Sequence, residues 1–329
     1  MKGRIFSGMQ PSGKFHLGNY LGALENWVKL QHEYECFFCI VDWHALTSSY
    51  EDTRKIPQNI HDMALDWLSA GLDPERNTIF VQSHVKEHAE LHLLLSMMTP
   101  LSWLERVPTY KDKLQQLGAQ GKEINTYGFL GYPELMTADI ILYKADTVPV
   151  GEDQLPHLEL AREITRRFNN LYGPIFPEPK ASLSQAPVLP GLDGRKMSKS
   201  YGNEISFSAG PEEIREKVRM MVTDPQRIKK TDLGHPDVCT VFTFHKLFNA
   251  EHAVQIEKDC RSAQIGCVEC KKRLAERMVD MLADVHTRRL ALERNPGRIK
   301  EILDYGAERA RKVAAATMQE VNKALHLMG

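Results

Sequence analysis

The chain has 329 residues, enough for about two domains that each bury a core. Its 42 Lys and Arg residues nearly balance 43 Asp and Glu residues, which argues against a bulk polyanion binder. No stretch approaches the roughly 18 apolar residues that a membrane span needs, and no apolar signal-peptide region opens the chain. With a mean hydropathy of -0.38, we expect a globular protein of the cytoplasm, with reduced cysteines and no membrane contact.

In the first half, short apolar runs alternate with stretches of helical periodicity, which predicts a parallel α/β sheet. The predicted strands are GRIFSGM, CFFCIVD, TIFVQS and ADTVPVG. The predicted helices cover HLGNYLGALENWVKLQ, 52–70, 86–117 with breaks at Pro100 and Pro108, and a last stretch from GEDQ to about Asn169.

Proline and glycine indicate a domain boundary near the middle of the chain. The stretch 171–190 is rich in proline, and 191–202 carries three glycines around a Lys and Ser cluster. Beyond 210 only amphipathic helices are predicted. We therefore expect an α/β domain over 1–190 and an all-α domain over 191–329.

Two segments have the composition of a phosphate site. In the first, His16-Leu17-Gly18-Asn19 opens a helix, whose N-terminal N–H groups and dipole favour an anion such as a triphosphate. Gly18 lets a ligand approach the backbone, and His16 and Asn19 add polar side chains. By itself this pattern is common at helix starts.

The second segment, GLDGRKMSKS at 191–200, places two lysines three residues apart in a glycine-flanked loop. Lys196 and Lys199 can bring positive charge to a leaving pyrophosphate, and Ser198 and Ser200 supply hydroxyl donors. A flexible interdomain linker is the alternative interpretation. Because both segments occur in this order on a βαβ framework, we favour a nucleotide site.

HLGN and KMSKS resemble the paired signature motifs of the class I aminoacyl-tRNA synthetases. PSGKFHLGNYLGAL, CFFCIVDWHALT, YPELMTADIILY and VPVGEDQ resemble the tryptophanyl branch of that family, so the resemblance covers most of residues 1–205. It implies a Rossmann-type catalytic domain and a helical anticodon-binding domain. It also implies ATP-dependent ligation of tryptophan to its tRNA through a tryptophanyl-adenylate, in a homodimeric enzyme.

The resemblance also assigns residues to ATP. The catalytic set would be Lys196, Lys199, His16 and, as a third cation, Lys111. Mg²⁺ is expected on the phosphates, where it keeps most of its waters. The residues expected to hold the nucleotide are Gln10, Pro11, Ser12, Gly18, Asn19, Gly151, Glu152, Asp153, Val188, Lys196, Met197, Ser198, Lys199 and Ser200.

Asp139 is the candidate for selecting the amino acid. It shares a predicted helix face with Met136, Ile140 and Tyr143, and a carboxylate among apolar groups needs a donor. From the residues alone, a helix cap or a pair with Lys144 is the simpler role. In the tryptophanyl family the matching aspartate meets the indole N–H. The resemblance implies a tryptophan pocket formed by Phe6, His44, Tyr132, Met136, Asp139, Val150 and Gln154.

Four of the six cysteines, Cys239, Cys260, Cys267 and Cys270, lie near one another in sequence. Four thiolates suit tetrahedral zinc or a 4Fe-4S cluster, and one distant with three nearer cysteines fits the cluster better. The pattern resembles a subset of tryptophanyl-tRNA synthetases that carry such a cluster. Zinc and free thiols remain alternatives. Cys36 and Cys39 lie three residues apart in a buried strand, so we expect them to pack on opposite faces.

Three rival functions share parts of this pattern. A tyrosyl enzyme would be expected to place a Tyr where Phe6 stands, and a simple nucleotidylyltransferase would lack the KMSKS loop. A regulator that binds tRNA without catalysis is disfavoured by the intact lysines and Asp139.

Residues 261–329 hold 14 Lys and Arg against 9 Asp and Glu, which favours an RNA-facing surface or simply a solvated helix face.

Overall fold

The structure is a computed structural model that describes residues 1–13, 15–118, 125–183, 189–198 and 201–327. Five parallel strands form one sheet in the order β3-β2-β1-β4-β5. The strands are β1 Arg4–Met9, β2 Glu35–Ile40, β3 Thr78–Val81, β4 Thr147–Val150 and β5 Lys180–Leu183. This is the doubly wound order of a Rossmann-type sheet, as expected.

The helices before β5 cover both faces of the sheet, with a π-helical stretch, Tyr20–Leu24, between the first two. They are α1 Leu17–Asn19, α2 Glu25–Leu30, α3 Asp42–Ser49, α4 Ile56–Ala70, α5 Glu87–Ser96, α6 Leu101–Glu105, α7 Pro108–Gly118, α8 Tyr127–Leu142 and α9 Leu155–Tyr172. Short 3₁₀ turns, Gln82–His84 and Glu152–Gln154, follow β3 and β4.

The second half is helical over its described residues, as the sequence predicts. Its helices are α10 Pro211–Met220, α11 Thr240–Phe248, α12 Ala250–Arg261, α13 Cys267–Glu293 and α14 Pro296–Ala324, with a 3₁₀ turn at Pro236–Val238. No helix in the described ranges is both long and apolar enough to cross a bilayer.

All four predicted strands are confirmed, but no local pattern predicts β5. That strand is four residues long, mostly exposed and set in the proline-rich stretch assigned to a boundary. An exposed edge strand needs no apolar pattern, because one partner strand supplies its hydrogen bonds. The two strand cysteines behave as predicted: Cys36 packs in the core on one side of the sheet and Cys39 in the core on the other.

The last helix returns to the first half of the chain. α14 packs on β3, and its Gly306 lies so close to Ile79 that a Cβ there would be 1.8 Å from the Ile79 carbonyl oxygen. At its far end Glu320 pairs with Lys144, 2.7 Å apart. Residues of α14 therefore complete the sheet's core, while the boundary at 190 stays a prediction drawn from composition.

This close approach predicts a large effect of a single methyl group. In Gly306→Ala the added methyl group clashes with the Ile79 backbone. We therefore expect the free energy of unfolding to fall by about 3 kcal/mol or more. Gly297, on the same helix, has no atom nearer than 3.8 Å to an added Cβ. Gly297→Ala should remain within about 1 kcal/mol of the parent, on the stabilising side.

Thermal and urea denaturation of the two variants provide the comparison. A Gly306→Ala protein that melts with the parent would show that α14 does not press on β3 in solution.

Candidate active site

A cavity of about 270 Å³ opens at the carboxyl ends of β1 and β4. In the order β3-β2-β1-β4-β5, the chain turns to opposite sides of the sheet between these two strands, and ligands of such sheets bind there. The floor is formed by the ends of β1 and β4, and one wall by α8. Gly22 and Ala23 of the π-helical stretch form another wall. π-turns inside helices are frequent at functional sites.

All seven residues predicted to contact the amino acid line this cavity. They come from β1, α3, α8, the end of β4 and the turn after it, segments far apart in sequence. They are Phe6, His44, Tyr132, Met136, Asp139, Val150 and Gln154. Phe6 stacks on Tyr143 at 5.6 Å between ring centroids, and Tyr143 is fully buried. The buried Tyr143 ring thus holds the Phe6 ring in place where it lines the cavity.

Asp139 is 1% exposed and accepts hydrogen bonds from three side chains. His88 Nδ1 lies 2.6 Å from Oδ1, and His44 Nε2 lies 2.9 Å from Oδ2. Gln82 Nε2 lies 2.8 Å from Oδ1 and 2.9 Å from Oδ2. Both carboxylate oxygens therefore receive hydrogen bonds from side chains, although the residue is almost inaccessible to water.

These donors also set its charge. Burial raises the pKa of Asp139, but the two neighbouring histidines outweigh burial and lower the pKa to about 2. The group is a carboxylate at neutral pH and can accept a hydrogen bond from a substrate. The alternative partner, Lys144, is excluded, because its ammonium pairs with Glu320 on the surface.

The HLGN segment forms a reciprocal cap. The Asn19 N–H donates to His16 Nδ1 at 3.3 Å, and the His16 N–H donates to Asn19 Oδ1 at 3.2 Å. Because Nδ1 accepts, the ring proton of neutral His16 lies on Nε2. The side-chain oxygen of Asn19, Oδ1, is therefore already hydrogen-bonded at the start of the helix.

The KMSKS loop lies directly against this helix start. A Cβ on Gly18 would be 3.6 Å from Met197 Sδ, so the two motifs touch across 179 residues of sequence. Backbone hydrogen bonds from Leu17 N to Ile205 O and from Phe207 N to Phe15 O hold the segment after the loop.

Buried Asn203 organises the loop from inside. Its side chain donates to Asp193 Oδ1 at 2.7 Å and accepts from the Ser198 N–H at 2.9 Å. Lys196 is exposed beside it.

Of the other residues predicted to bind the nucleotide, some line the cavity and others lie outside it. Gln10 and Gly151 line the cavity, and exposed Ser12 follows Gln10 in a tight turn. Pro11 lies in the same turn, and Glu152 and Asp153 are exposed after β4. Lys111 is exposed on α7 and does not line the cavity. Val188, Lys199 and Ser200 lie outside the described residues.

The four clustered cysteines do come together. Cys239, Cys260, Cys267 and Cys270 line one small cavity of about 20 Å³, beside Arg227. Arg227 Nη1 lies 3.7 Å from Cys260 Sγ. Burial raises the pKa of Cys270 to about 12, and its neighbouring thiols add to the effect. Within the described ranges, no three His, Cys, Asp or Glu side chains are arranged to hold a metal ion.

Sequence reasoning missed two residues that hold Asp139: Gln82 and His88. Gln82 directly follows β3, and polar residues at the carboxyl end of a parallel strand are a general sign of a site. That signal was available in TIFVQSH. His88 had none, because a single histidine on a helix is more often structural.

Comparisons with known proteins agree with this geometry. The family model described as tRNA synthetases class I (W and Y) matches residues 2–283. The tryptophan–tRNA ligase of Thermotoga maritima is 49% identical over 328 residues, covering 99% of each chain. That of Aquifex aeolicus is 46% identical over 393 residues, covering 98% of this chain and 100% of the relative.

A solved structure is similar over nearly the whole fold. The tryptophanyl-tRNA synthetase of Campylobacter jejuni, complexed with ADP and tryptophan, superposes with a TM-score of 0.89 at 36% sequence identity. The match covers 98% of this chain and 99% of that one. The chain therefore belongs to the class I tRNA synthetases and, within them, to the tryptophanyl-tRNA synthetases.

Proposed function

We propose that this protein uses ATP to join tryptophan to its tRNA and that Asp139 selects tryptophan by accepting the indole N–H. The observation that carries this proposal is an ionised, buried carboxylate that lines the cavity at the sheet's switch point. Indole has one donor, and a site that satisfies it can reject an analogue without it by a factor of about 10⁴ or more.

The first step is activation of the amino acid. The tryptophan carboxylate attacks the α-phosphorus of ATP, the bond to the bridging oxygen breaks, and pyrophosphate leaves. Tryptophanyl-adenylate remains in the cavity, with Gln154 and Tyr132 placed to hold the ammonium group. Positioning and charge neutralisation carry most of the catalysis in such transfers. Lys196, with Lys199, is assigned to the charge that develops on the β- and γ-phosphates, and Mg²⁺ accompanies those phosphates.

The second step transfers the amino acid to RNA. The 3′-terminal ribose hydroxyl of the tRNA attacks the adenylate carbonyl, and AMP leaves. The basic helical half is the expected binding surface for the anticodon arm. Lys271 and Lys272 directly follow Cys270 at the start of α13, which places positive charge beside the cysteine cavity.

Tyrosine is the nearest alternative substrate, because a phenol can also donate to a carboxylate. Two observations favour tryptophan. Phe6 lines the cavity and offers no polar atom to a phenol, and the matched relatives are tryptophan–tRNA ligases.

We also propose that the four cysteines hold a structural 4Fe-4S cluster that ties the start of α13 to Cys239. Four thiol side chains around one cavity suit such a cluster chemically. A single zinc ion, which four thiolates also bind, is the alternative. The cluster would contribute stability and would take no part in amino-acid activation.

A homodimer in the cytoplasm completes the proposal. Leu93 on α5, Met97 just after it, Leu101 on α6 and Tyr127 on α8 are more than half exposed, and α8 packs on both other helices. Exposed apolar side chains on packed helices are candidates for an interface. A second copy of the chain is the partner that the family resemblance favours for that face.

Replacing the selecting carboxylate tests the substrate assignment. Asp139→Asn replaces one carboxylate oxygen by an NH₂ group that faces two of the present donors, so we expect kcat/KM for tryptophan in pyrophosphate exchange to fall by about 100-fold or more. Glu134→Gln is the matched control, since Glu134 is equally buried on α8 but does not line the cavity, and it should stay within about 3-fold. Undiminished activity of Asp139→Asn would remove Asp139 from substrate recognition.

Removing a loop cation tests the catalytic assignment. Lys196→Ala should lower kcat for pyrophosphate exchange by about 100-fold and leave the tryptophan dissociation constant nearly unchanged, because the charge acts on the leaving phosphates. Lys300→Ala, a surface lysine of α14, serves as the control. Equal kcat values for the two variants would exclude Lys196 from the chemistry.

Metal content tests the cysteine proposal. Anaerobically purified protein should contain about four irons and as many inorganic sulfides per chain and should show thiolate-to-iron charge-transfer absorption. Cys270→Ser should lose the metal, and Cys36→Ser, a core cysteine outside the cavity, should keep it. A content of one zinc per chain would contradict the cluster and assign the site to zinc. Protein without bound metal would show that the four cysteines are free thiols.

A further inference from the structure

The acceptor sites of Asp139 are already occupied in the structure. A carboxylate has about four lone-pair sites for hydrogen bonds. Gln82 contacts both oxygens, His88 contacts Oδ1 and His44 contacts Oδ2, which makes four contacts at 2.6 to 2.9 Å. A substrate N–H cannot simply be added to this arrangement. One of the present donors has to give way.

Two of the three donors are fixed at both ends. His88 donates from Nδ1 to Asp139, and its Nε2 accepts from the Tyr143 hydroxyl at 2.7 Å. Gln82 donates to Asp139, and its Oε1 accepts a hydrogen bond from the backbone N–H of Trp43 at 3.1 Å. Both side chains belong to residues with 0% exposure, and neither residue lines the cavity. Moving either one would leave a second buried group without a partner.

His44 differs from both. It lines the cavity together with Asp139, and its ring reaches Asp139 from the cavity side of the network. Its Nε2–H contacts Oδ2, whereas Oδ1 is held by His88. His44 therefore occupies the acceptor position that a ligand in the cavity can reach.

We infer that the indole N–H of the substrate displaces His44 from Oδ2 of Asp139, so that His44 satisfies the carboxylate only while the pocket is empty. This inference rests on the proposed function and adds a role for His44 beyond lining the pocket. The exchange replaces one N–H donor by another, so the carboxylate keeps its four contacts in both states. Gln82 and His88 hold it in place throughout.

The exchange also explains how an empty pocket avoids an uncompensated buried charge. Without His44, Oδ2 would lose a donor in the free protein, where few waters reach it. A ligand that lacks the N–H, such as the tryptophan analogue with sulfur in place of the indole nitrogen, would displace His44 and leave that vacancy. Both ligands would break the His44 contact, but only tryptophan would restore the donor, so the indole–carboxylate hydrogen bond alone would separate their affinities.

The direct test observes the imidazole N–H groups of ¹⁵N-histidine-labelled protein by NMR, with His44→Phe to assign the His44 signal. Saturation with tryptophan should shift or abolish the His44 Nε2–H resonance, and the His88 Nδ1–H resonance should persist. A His44 resonance that keeps its position in the saturated complex would overturn the inference, although tryptophan binding itself would still support the proposed function. Protein that does not bind tryptophan at all would overturn both.

Calorimetry supplies a second readout. His44→Phe keeps a ring in the wall but has no bond to Asp139 to break, so tryptophan and the sulfur analogue should each bind about 3- to 10-fold more tightly. The ratio of their affinities should stay within about 3-fold of the parent's. Weaker binding of tryptophan in a variant that melts with the parent would show that His44 remains bonded to Asp139 in the complex, contrary to the inference.

Discussion

The site depends on a carboxylate that is ionised although it is buried. Moving such a group out of water costs several kcal/mol unless hydrogen bonds replace the lost water. Asp139 obtains its donors from three different elements: α3, the turn after β3, and α5. Each of these elements is positioned by the sheet or by a helix packed on it. The position of one charge is therefore determined by a large part of the first half of the fold.

Backbone pairing outside the sheet brings together the two motifs that we assign to the nucleotide. Gly18 and Met197 meet because the chain after the loop pairs with residues at the start of α1, at Phe15 to Phe207 and Leu17 to Ile205. A Cβ at position 18 would lie 3.0 Å from the His16 ring, so glycine leaves room for that ring. Lys196 and Met197 of the loop are thus held near the helix start, and the cavity lies at the ends of β1 and β4. Activation of an amino acid by ATP needs the two substrates adjacent, as they would be in the proposed sites.

Much of this was predictable from local sequence. Four strands, the helical second half and the seven cavity residues followed from apolar periodicity and motif resemblance. The short strand Lys180–Leu183 did not, because an exposed edge has no periodic pattern. The return of α14 to β3 did not either, since Gly306 gives no local sign of a contact with Ile79. Gln82 and His88 hold Asp139 only through tertiary contacts, and no spacing in the sequence joins them to it.

The most direct measurement is a crystal structure of the protein with bound tryptophan. We expect the indole nitrogen within about 3 Å of an Asp139 carboxylate oxygen, with Gln82 and His88 still bonded to that carboxylate. An indole ring in the cavity whose nitrogen points away from Asp139, with all three present donors still in contact with the carboxylate, would contradict the selection of tryptophan by this residue.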